Sequence, residues 1–188
     1  MNIPNLLTLL RIVLVPLAIW LIISDWDRAA FLVLVAAGLT DGLDGYFAKR
    51  FGWTSELGSY LDPLADKLML VSSYIALGVR GLLPSWLVIM VVSRDVMIVS
   101  AILLAVVIGQ SIQMRPIAIS KLNTVAQIAL VLLVLAEAGF DLPWTVAKLA
   151  VLYLTAGLTL ASAAVYLWVW LHLMTGGTPP NGGEAPGA

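Results

Sequence analysis

The sequence contains no cysteine, which excludes disulfides, thiolate metal sites and cysteine nucleophiles. It is also poor in charge. Lysine, arginine, aspartate and glutamate together make up 11% of the chain, against about 25% in ordinary soluble domains. The formal net charge is -1 and no long basic tract occurs, so no nucleic-acid partner is expected. The start lacks the shape of a cleavable signal: Met1 runs directly into apolar sequence, with Pro4 and Arg11 inside the run and no small-residue cleavage site after it. An Arg/Ser-rich transit segment is missing too, which favours a bacterial inner membrane over an organelle. No internal repeat is visible, and 188 residues suit one domain.

What the chain has in abundance is apolar sequence, at 61% hydrophobic residues and a mean hydropathy of +1.01. Several runs approach the roughly 20 residues a helix needs to cross a bilayer. The fold class expected is therefore an all-α integral membrane protein with six transmembrane helices. The spans fall near Ile3 to Ile23, Ala29 to Lys49, Leu61 to Val79, Ser85 to Ile108, Ile119 to Ala138 and Trp144 to Leu173. The tail "TGGTPPNGGEAPGA" is Gly/Pro-rich and expected to be disordered, leaving residues 1–174 as the membrane domain. Lys49, Arg50, Lys67, Arg115 and Lys121 collect on one side of this topology, with Arg28, Arg80 and Lys148 on the other. The richer side, with both termini, is expected to face the cytoplasm. Trp26, Trp86, Trp144, Trp168 and Trp170 lie near span ends, as an interfacial aromatic belt does.

Against this background "LTDGLDGYFAKRFGWTSELGSYLDPLADKLML" is anomalous. Asp41 and Asp44 are three apart and share a helix face; Asp62 and Asp66 are four apart and share another. Intramembrane carboxylates cost about 2.5–3.5 kcal/mol each near a helix centre and usually mark function. Four converging on adjacent helix ends cannot all stay ionised unaided. All-oxygen ligation suits Mg²⁺ or Mn²⁺, and two such ions balance four charges. Magnesium is often completed by substrate phosphates, which points to a phosphorylated substrate. Gly45, Ala48 and Gly58 lie one turn from Asp41, Asp44 and Asp62, where bulk would block the site's floor, and glycine lets backbone approach a ligand. Lys49 and Arg50 add positive charge at the rim.

The runs "DGLDGYFAK" and "GSYLDPLAD" resemble the signature of the CDP-alcohol phosphatidyltransferase family, D-x-x-D-G-x-x-A-R…G-x-x-x-D-x-x-x-D. Asp41, Asp44, Gly45, Ala48, Gly58, Asp62 and Asp66 fall in register, while Lys49, followed by Arg50, stands where the family has arginine. The resemblance runs from "NIPNLLTLLR" to at least the fifth span. It implies six transmembrane helices, usually in a homodimer, with a two-metal site opening to the cytoplasm. It implies that Asp41, Asp44 and Asp62 chiefly hold metal, that Asp66 is general base while staying close to the metals, and that Asp44, Gly45, Ala48, Lys49, Arg50 and Gly58 meet the CDP-lipid. The reaction implied is displacement of CMP from CDP-diacylglycerol by an acceptor alcohol, a step of phospholipid biosynthesis.

The acceptor is suggested by "SRDV" and "ISKLNTVAQ", which resemble the CMP-forming cardiolipin synthase branch. That favours phosphatidylglycerol, with phosphatidylglycerophosphate synthesis from glycerol 3-phosphate as the alternative. Arg94 with Arg115 and Lys121 is the candidate acceptor-phosphate set, set against an architectural salt bridge for Arg94. Adjacent helical residues point in different directions, so Arg94 and Asp95 are not expected to satisfy each other. Arg11 either snorkels or joins that set. Asn123, Gln127 and Glu137 are expected to bond to neighbouring helices, and His172 to sit at the interface. A cation-coupled transporter also uses intramembrane carboxylates, but favours midplane sites and inverted repeats. An intramembrane prenyltransferase lacks the D-G-x-x-A continuation.

Overall fold

The computed structural model describes residues 3–51, 56–107 and 118–174, with side chains described over 11–40, 65–100 and 119–168. These residues form six helices, with short turns after the first, third and fifth: α1 Ile3–Ile23, α2 Asp27–Phe51, α3 Glu56–Val79, α4 Ser85–Val107, α5 Ala118–Phe140 and α6 Thr145–Met174. The six runs read from the sequence are these six helices. The largest difference is at α3, which starts a turn or more earlier, at Glu56. The polar "ELGSY" is no part of an apolar run, yet it continues the helix that carries Asp62. The expected tail, 175–188, lies outside the described residues.

Local chemistry sets the helix ends. After α3, Gly81 takes φ 72°, and the amides of Leu82 and Gly81 return to the carbonyls of Leu77 and Gly78 at 3.0 Å each. This paired closure satisfies carbonyls the helix leaves orphaned and needs a residue comfortable in the left-handed region. After α1 the same closure is made by Asp25, at φ 62°, with Trp26 N–H bonding the Leu21 carbonyl at 2.9 Å.

Polarity is inverted relative to a soluble protein. Val13, Trp20, Leu32, Leu39, Ile89, Val125, Val146 and Tyr153 are exposed, whereas Arg11, Arg94, Asp95, Asn123, Gln127, Thr159 and Ser162 are buried. A soluble monomer does not present such broad apolar faces to water, but a bilayer accommodates them. By length and composition, two described helical segments qualify as membrane spans: Ile119–Phe140 in α5 and Thr145–Trp168 in α6.

Helix α1 packs on α2 and α3, α5 on α2, α3 and α6, and α4 on α3 and α6. Leu77, Leu83, Leu87, Val91, Leu130 and Leu135 lie in the main apolar core. Polar groups stitch α5 to α6, as the sequence leads one to expect. Thr159 Oγ1 donates to Asn123 Oδ1 at 2.9 Å, Thr145 Oγ1 to Glu137 at 2.7 Å, and Lys148 pairs with Glu137. Gln127 departs from that expectation: its backbone carbonyl accepts from Tyr74 Oη at 3.2 Å, but among the described residues its buried side-chain amide has no partner.

One end of the bundle is laced shut. Arg80, between α3 and α4, donates to both carboxylate oxygens of Asp27 and pairs with Asp25. These bonds, Asp27 foremost, push its guanidinium pKa above the ordinary value. Arg28 donates to the Gly139 carbonyl and stacks 5.6 Å from the Phe140 ring centre. The aspartate motif lies at the opposite end of α2 and α3.

Candidate active site

The backbone puts the motif on two continuous helices. Helix α2 carries Asp41, Asp44, Gly45, Ala48, Lys49 and Arg50 in its last turns, and α3 carries Gly58, Asp62 and Asp66 in its first. The i,i+3 and i,i+4 spacings inferred from sequence therefore act on real helices and put each pair on one face. The side chains of Asp41, Asp44, Gly45, Ala48, Lys49, Arg50, Gly58 and Asp62 lie outside the described residues, as do Arg115 as a whole and the side chain of His172.

Asp66 is the motif aspartate whose surroundings are described. Its carboxylate is about half exposed, and Arg11 Nη1 donates to Oδ1 at 2.7 Å. Arg11 itself is buried, at 5% relative exposure, so it does not snorkel to the interface. An arginine inside a span is tolerated when it pairs, and this one pairs across helices with the candidate base.

Beside this pair opens a cavity of about 410 Å³, within the range of small-ligand sites. Arg11, Asp66 and Lys67 give it a charged end, and Met69, Leu70, Ile128, Val131 and Leu132 an apolar wall. On α3 the lining runs from Asp66 to Ser73, about 10 Å along the axis at 1.5 Å per residue. A space charged at one end and apolar along its length has the shape of a phospholipid's polarity.

The neighbouring cluster corrects one expectation. Arg94 and Asp95, though adjacent, do pair, Nη1 to Oδ1 at 2.6 Å. Helical geometry separates the two Cβ atoms, but an arginine side chain is long enough to curl back. Its other donors go to Ser162 Oγ, at 3.2 Å from Nε and 2.7 Å from Nη2, and to Ser120 Oγ at 2.5 Å. The guanidinium also stands 5.7 Å from the Tyr166 ring centre. At 2% relative exposure, Arg94 bolts α4 to α5 and α6, while Lys121 stands exposed in the first turn of α5. Asp95 takes a second cation from α3: Lys67 Nζ donates to the same Oδ1 at 2.8 Å. Sequence reasoning used Lys67 only for topology and did not pair it with Asp95. Only the side chain of Lys67 leaves the cluster for the cavity.

A metal fits this donor set. The donor chemistry of the motif, carboxylates carried on the α2 and α3 backbones, is of the all-oxygen kind that suits Mg²⁺ or Mn²⁺. Among the described residues alone, no group of three ligating side chains occurs.

The family model for CDP-alcohol phosphatidyltransferase matches residues 1–174. The chain belongs to the CDP-alcohol phosphatidyltransferase family. Two kinds of relative share it. A cardiolipin synthase (CMP-forming) of Homo sapiens is 37% identical over 181 residues, 88% of this chain and 60% of its own length. A chloroplastic CDP-diacylglycerol–glycerol-3-phosphate 3-phosphatidyltransferase of Oryza sativa subsp. japonica is 35% identical over 184 residues, covering 88% of this chain and 56% of that protein. The chain thus spans little more than half of either. An enzyme of the latter name from Pseudomonas fluorescens is 33% identical over 188 residues, covering 94% of each chain. Family membership makes this a membrane protein, in accord with its inverted polarity. The relatives divide between these two names.

Proposed function

We propose that this protein transfers the phosphatidyl group of CDP-diacylglycerol to phosphatidylglycerol, releasing CMP and forming cardiolipin. All six helices are read as spanning a bacterial inner membrane, the motif end facing the cytoplasm, in a homodimer. Asp41, Asp44, Asp62 and Asp66 would hold two divalent ions, which would neutralise charge on the diphosphate and on departing CMP. Gly45, Ala48 and Gly58 keep that floor open, and Asp44, Lys49 and Arg50 hold the CDP-lipid's polar end. Asp66, at the mouth of the cavity, takes the proton of the acceptor hydroxyl as that oxygen attacks phosphorus. Arg11 keeps the Asp66 carboxylate oriented. The acceptor's phosphate is assigned to the basic groups around the cavity, with Arg115 and Lys121 nearby at the cytoplasmic side. Arg94 is reassigned from that set to architecture, because its donors are directed at Asp95, Ser120 and Ser162.

The observation that carries the acceptor assignment is the cavity beside Asp66, charged at one end and apolar along its wall. A lipid acceptor uses both parts, whereas a water-soluble acceptor uses only the first. Glycerol 3-phosphate is the second reading, favoured by the Pseudomonas fluorescens relative that matches over nearly its whole length. The test is an acceptor assay on the purified protein with CDP-diacylglycerol and Mg²⁺ or Mn²⁺. Phosphatidylglycerol and glycerol 3-phosphate are supplied separately, CMP is quantified and the lipid product weighed by mass spectrometry. Cardiolipin is the expected product. Phosphatidylglycerophosphate would keep the chemistry and replace the acceptor; no CMP with either would refute the reading.

A further inference from the structure

Lys67 is the residue for which neither the motif nor the fold alone accounts. The cluster it belongs to holds two cations, Lys67 and Arg94, around one carboxylate, Asp95, for a formal charge of +1. Arg94 and Asp95 are buried at 2% and 5% side-chain exposure, whereas Lys67 keeps 34%. The cluster's surplus charge therefore surfaces at one place, the cavity wall next to Asp66. An ammonium has three donors. Among the described residues Asp95 accepts one of them, which leaves two for a ligand. An anion in the cavity would balance this surplus charge and accept from the remaining ammonium donors.

The length and polarity of the cavity say which anion. Its charged end holds Arg11, Asp66 and Lys67, and the remainder is mostly apolar, with Met69, Leu70, Ile128 and Val131 beside the hydroxyl residues Ser73 and Thr124. Inorganic phosphate or a small phosphate ester would occupy the end and leave the apolar wall unfilled. A phospholipid matches both parts. Of the two lipids in the proposed reaction, the donor's diphosphate goes to the motif aspartates. Lys67 instead follows directly after Asp66, the residue assigned to the acceptor's hydroxyl proton. In phosphatidylglycerol that hydroxyl and the phosphate are separated by one glycerol unit, so neighbouring side chains suit the two groups.

We propose that Lys67 binds the phosphate of the acceptor phospholipid, and that Asp95, locked by Arg94, is the positioning residue that holds Lys67 on the cavity wall. This deepens the proposed transfer reaction and rests on it. Asp95 does the aiming from α4, Arg94 fixes Asp95 through Ser120 and Ser162, and so α4, α5 and α6 together set where an α3 lysine points. Lysine is a point charge on a flexible stem; a fixed carboxylate behind it supplies the direction that the stem lacks.

The experiment measures initial rates of CMP release while phosphatidylglycerol and CDP-diacylglycerol are varied independently. For Lys67→Gln the KM for phosphatidylglycerol is expected to rise tenfold or more, with kcat within threefold of wild type and the KM for CDP-diacylglycerol within twofold. Lys67→Arg is expected to restore most of the loss, and Asp95→Asn to raise the same KM. A merely structural role would instead lower kcat and thermal stability without separating the two KM values. An unchanged acceptor KM in Lys67→Gln overturns the proposal, and so does a rise confined to CDP-diacylglycerol. Wild-type turnover with glycerol 3-phosphate alone overturns the lipid assignment. If neither acceptor yields CMP, the transfer reading itself fails, and native mass spectrometry still tests Lys67. Wild type is then expected to retain phosphatidylglycerol at least fivefold better than Lys67→Gln, with glycerol 3-phosphate a poor competitor; equal retention would count against the site.

Discussion

The three-residue ion cluster makes an asymmetric prediction about stability. Asp95→Leu strands Arg94, whose guanidinium is 2% exposed and, among the described residues, retains only serine hydroxyls as hydrogen-bonding partners. Removing one partner of a buried pair typically costs about 3–5 kcal/mol, because the other charge is left uncompensated. Arg94→Met is milder. Asp95 keeps Lys67 at 2.8 Å, and the principal losses are the bonds to Ser120 and Ser162, each worth about 1–2 kcal/mol at most. In a chain of this size 1 kcal/mol moves Tm by about 2–4 °C. Asp95→Leu is thus expected to lose on the order of 10 °C in detergent, and Arg94→Met less than that. The double variant removes the stranded cation together with its partner, so it should be no less stable than Asp95→Leu alone, a coupling of about 2 kcal/mol. The assay is thermal unfolding of the four proteins in one detergent, followed by circular dichroism and checked by SDS titration. If Arg94→Met is the more damaging single change, or if the two losses simply add, the cluster is not organised around Asp95 and the reasoning fails.

Asp66→Asn is expected to lower turnover by at least 100-fold, within the usual range for a general base, while CDP-diacylglycerol binding persists; near-wild-type kcat would take the base role from Asp66. Excess EDTA should stop CMP release, and Mg²⁺ or Mn²⁺ should restore it, if the four carboxylates converge as proposed and need divalent charge to do so. Full activity in the chelator would refute the metal assignment. At Gly139 an added Cβ would lie 2.8 Å from the backbone nitrogen of Arg28 and 3.1 Å from the carbonyl carbon of Asp27, atoms that cannot rotate away. Gly139→Ala should therefore cost about 1–3 kcal/mol through overpacking, seen as a lower Tm. Gly157→Ala, where a Cβ meets nothing within 4 Å, should be neutral or gain up to about 1 kcal/mol from helix propensity.

Local signals carried most of the fold. Run length placed the six helices, and apolar side chains such as Val13, Ile89 and Val146 are exposed on them, as a bilayer-facing surface would be. Asn123 and Glu137 were legible as interhelical partners, since an amide or carboxylate in an apolar helix has few other ways to be satisfied. The motif was legible because helical spacing is local: Asp41 with Asp44 and Asp62 with Asp66 depend on nothing beyond their own helix. What sequence could not supply was the identity of partners brought from afar. Arg11 meets Asp66 from 55 positions away, and Ser162 meets Arg94 from 68. Neither serine nor an isolated arginine announces such a partner.

Lys67 shows why this matters for function. Taken alone, a lysine one residue after a motif aspartate and near a span end is an ordinary interfacial snorkeller. Asp95, taken alone, is an ordinary companion to Arg94. The geometry makes them interdependent, because both cations reach the same oxygen of Asp95, and the buried one cannot leave. The exposed one is consequently held against the cavity rather than released to the headgroup region. Acceptor selection in such a site need not lie in the aspartate motif, to which the proposed mechanism assigns the diphosphate. It can lie in what stands behind the residue next to the base. A relative that keeps the four aspartates and a lysine after the last of them, but lacks the carboxylate on α4, would leave that lysine without direction. Its preference for a lipid acceptor over a soluble phosphate should weaken accordingly.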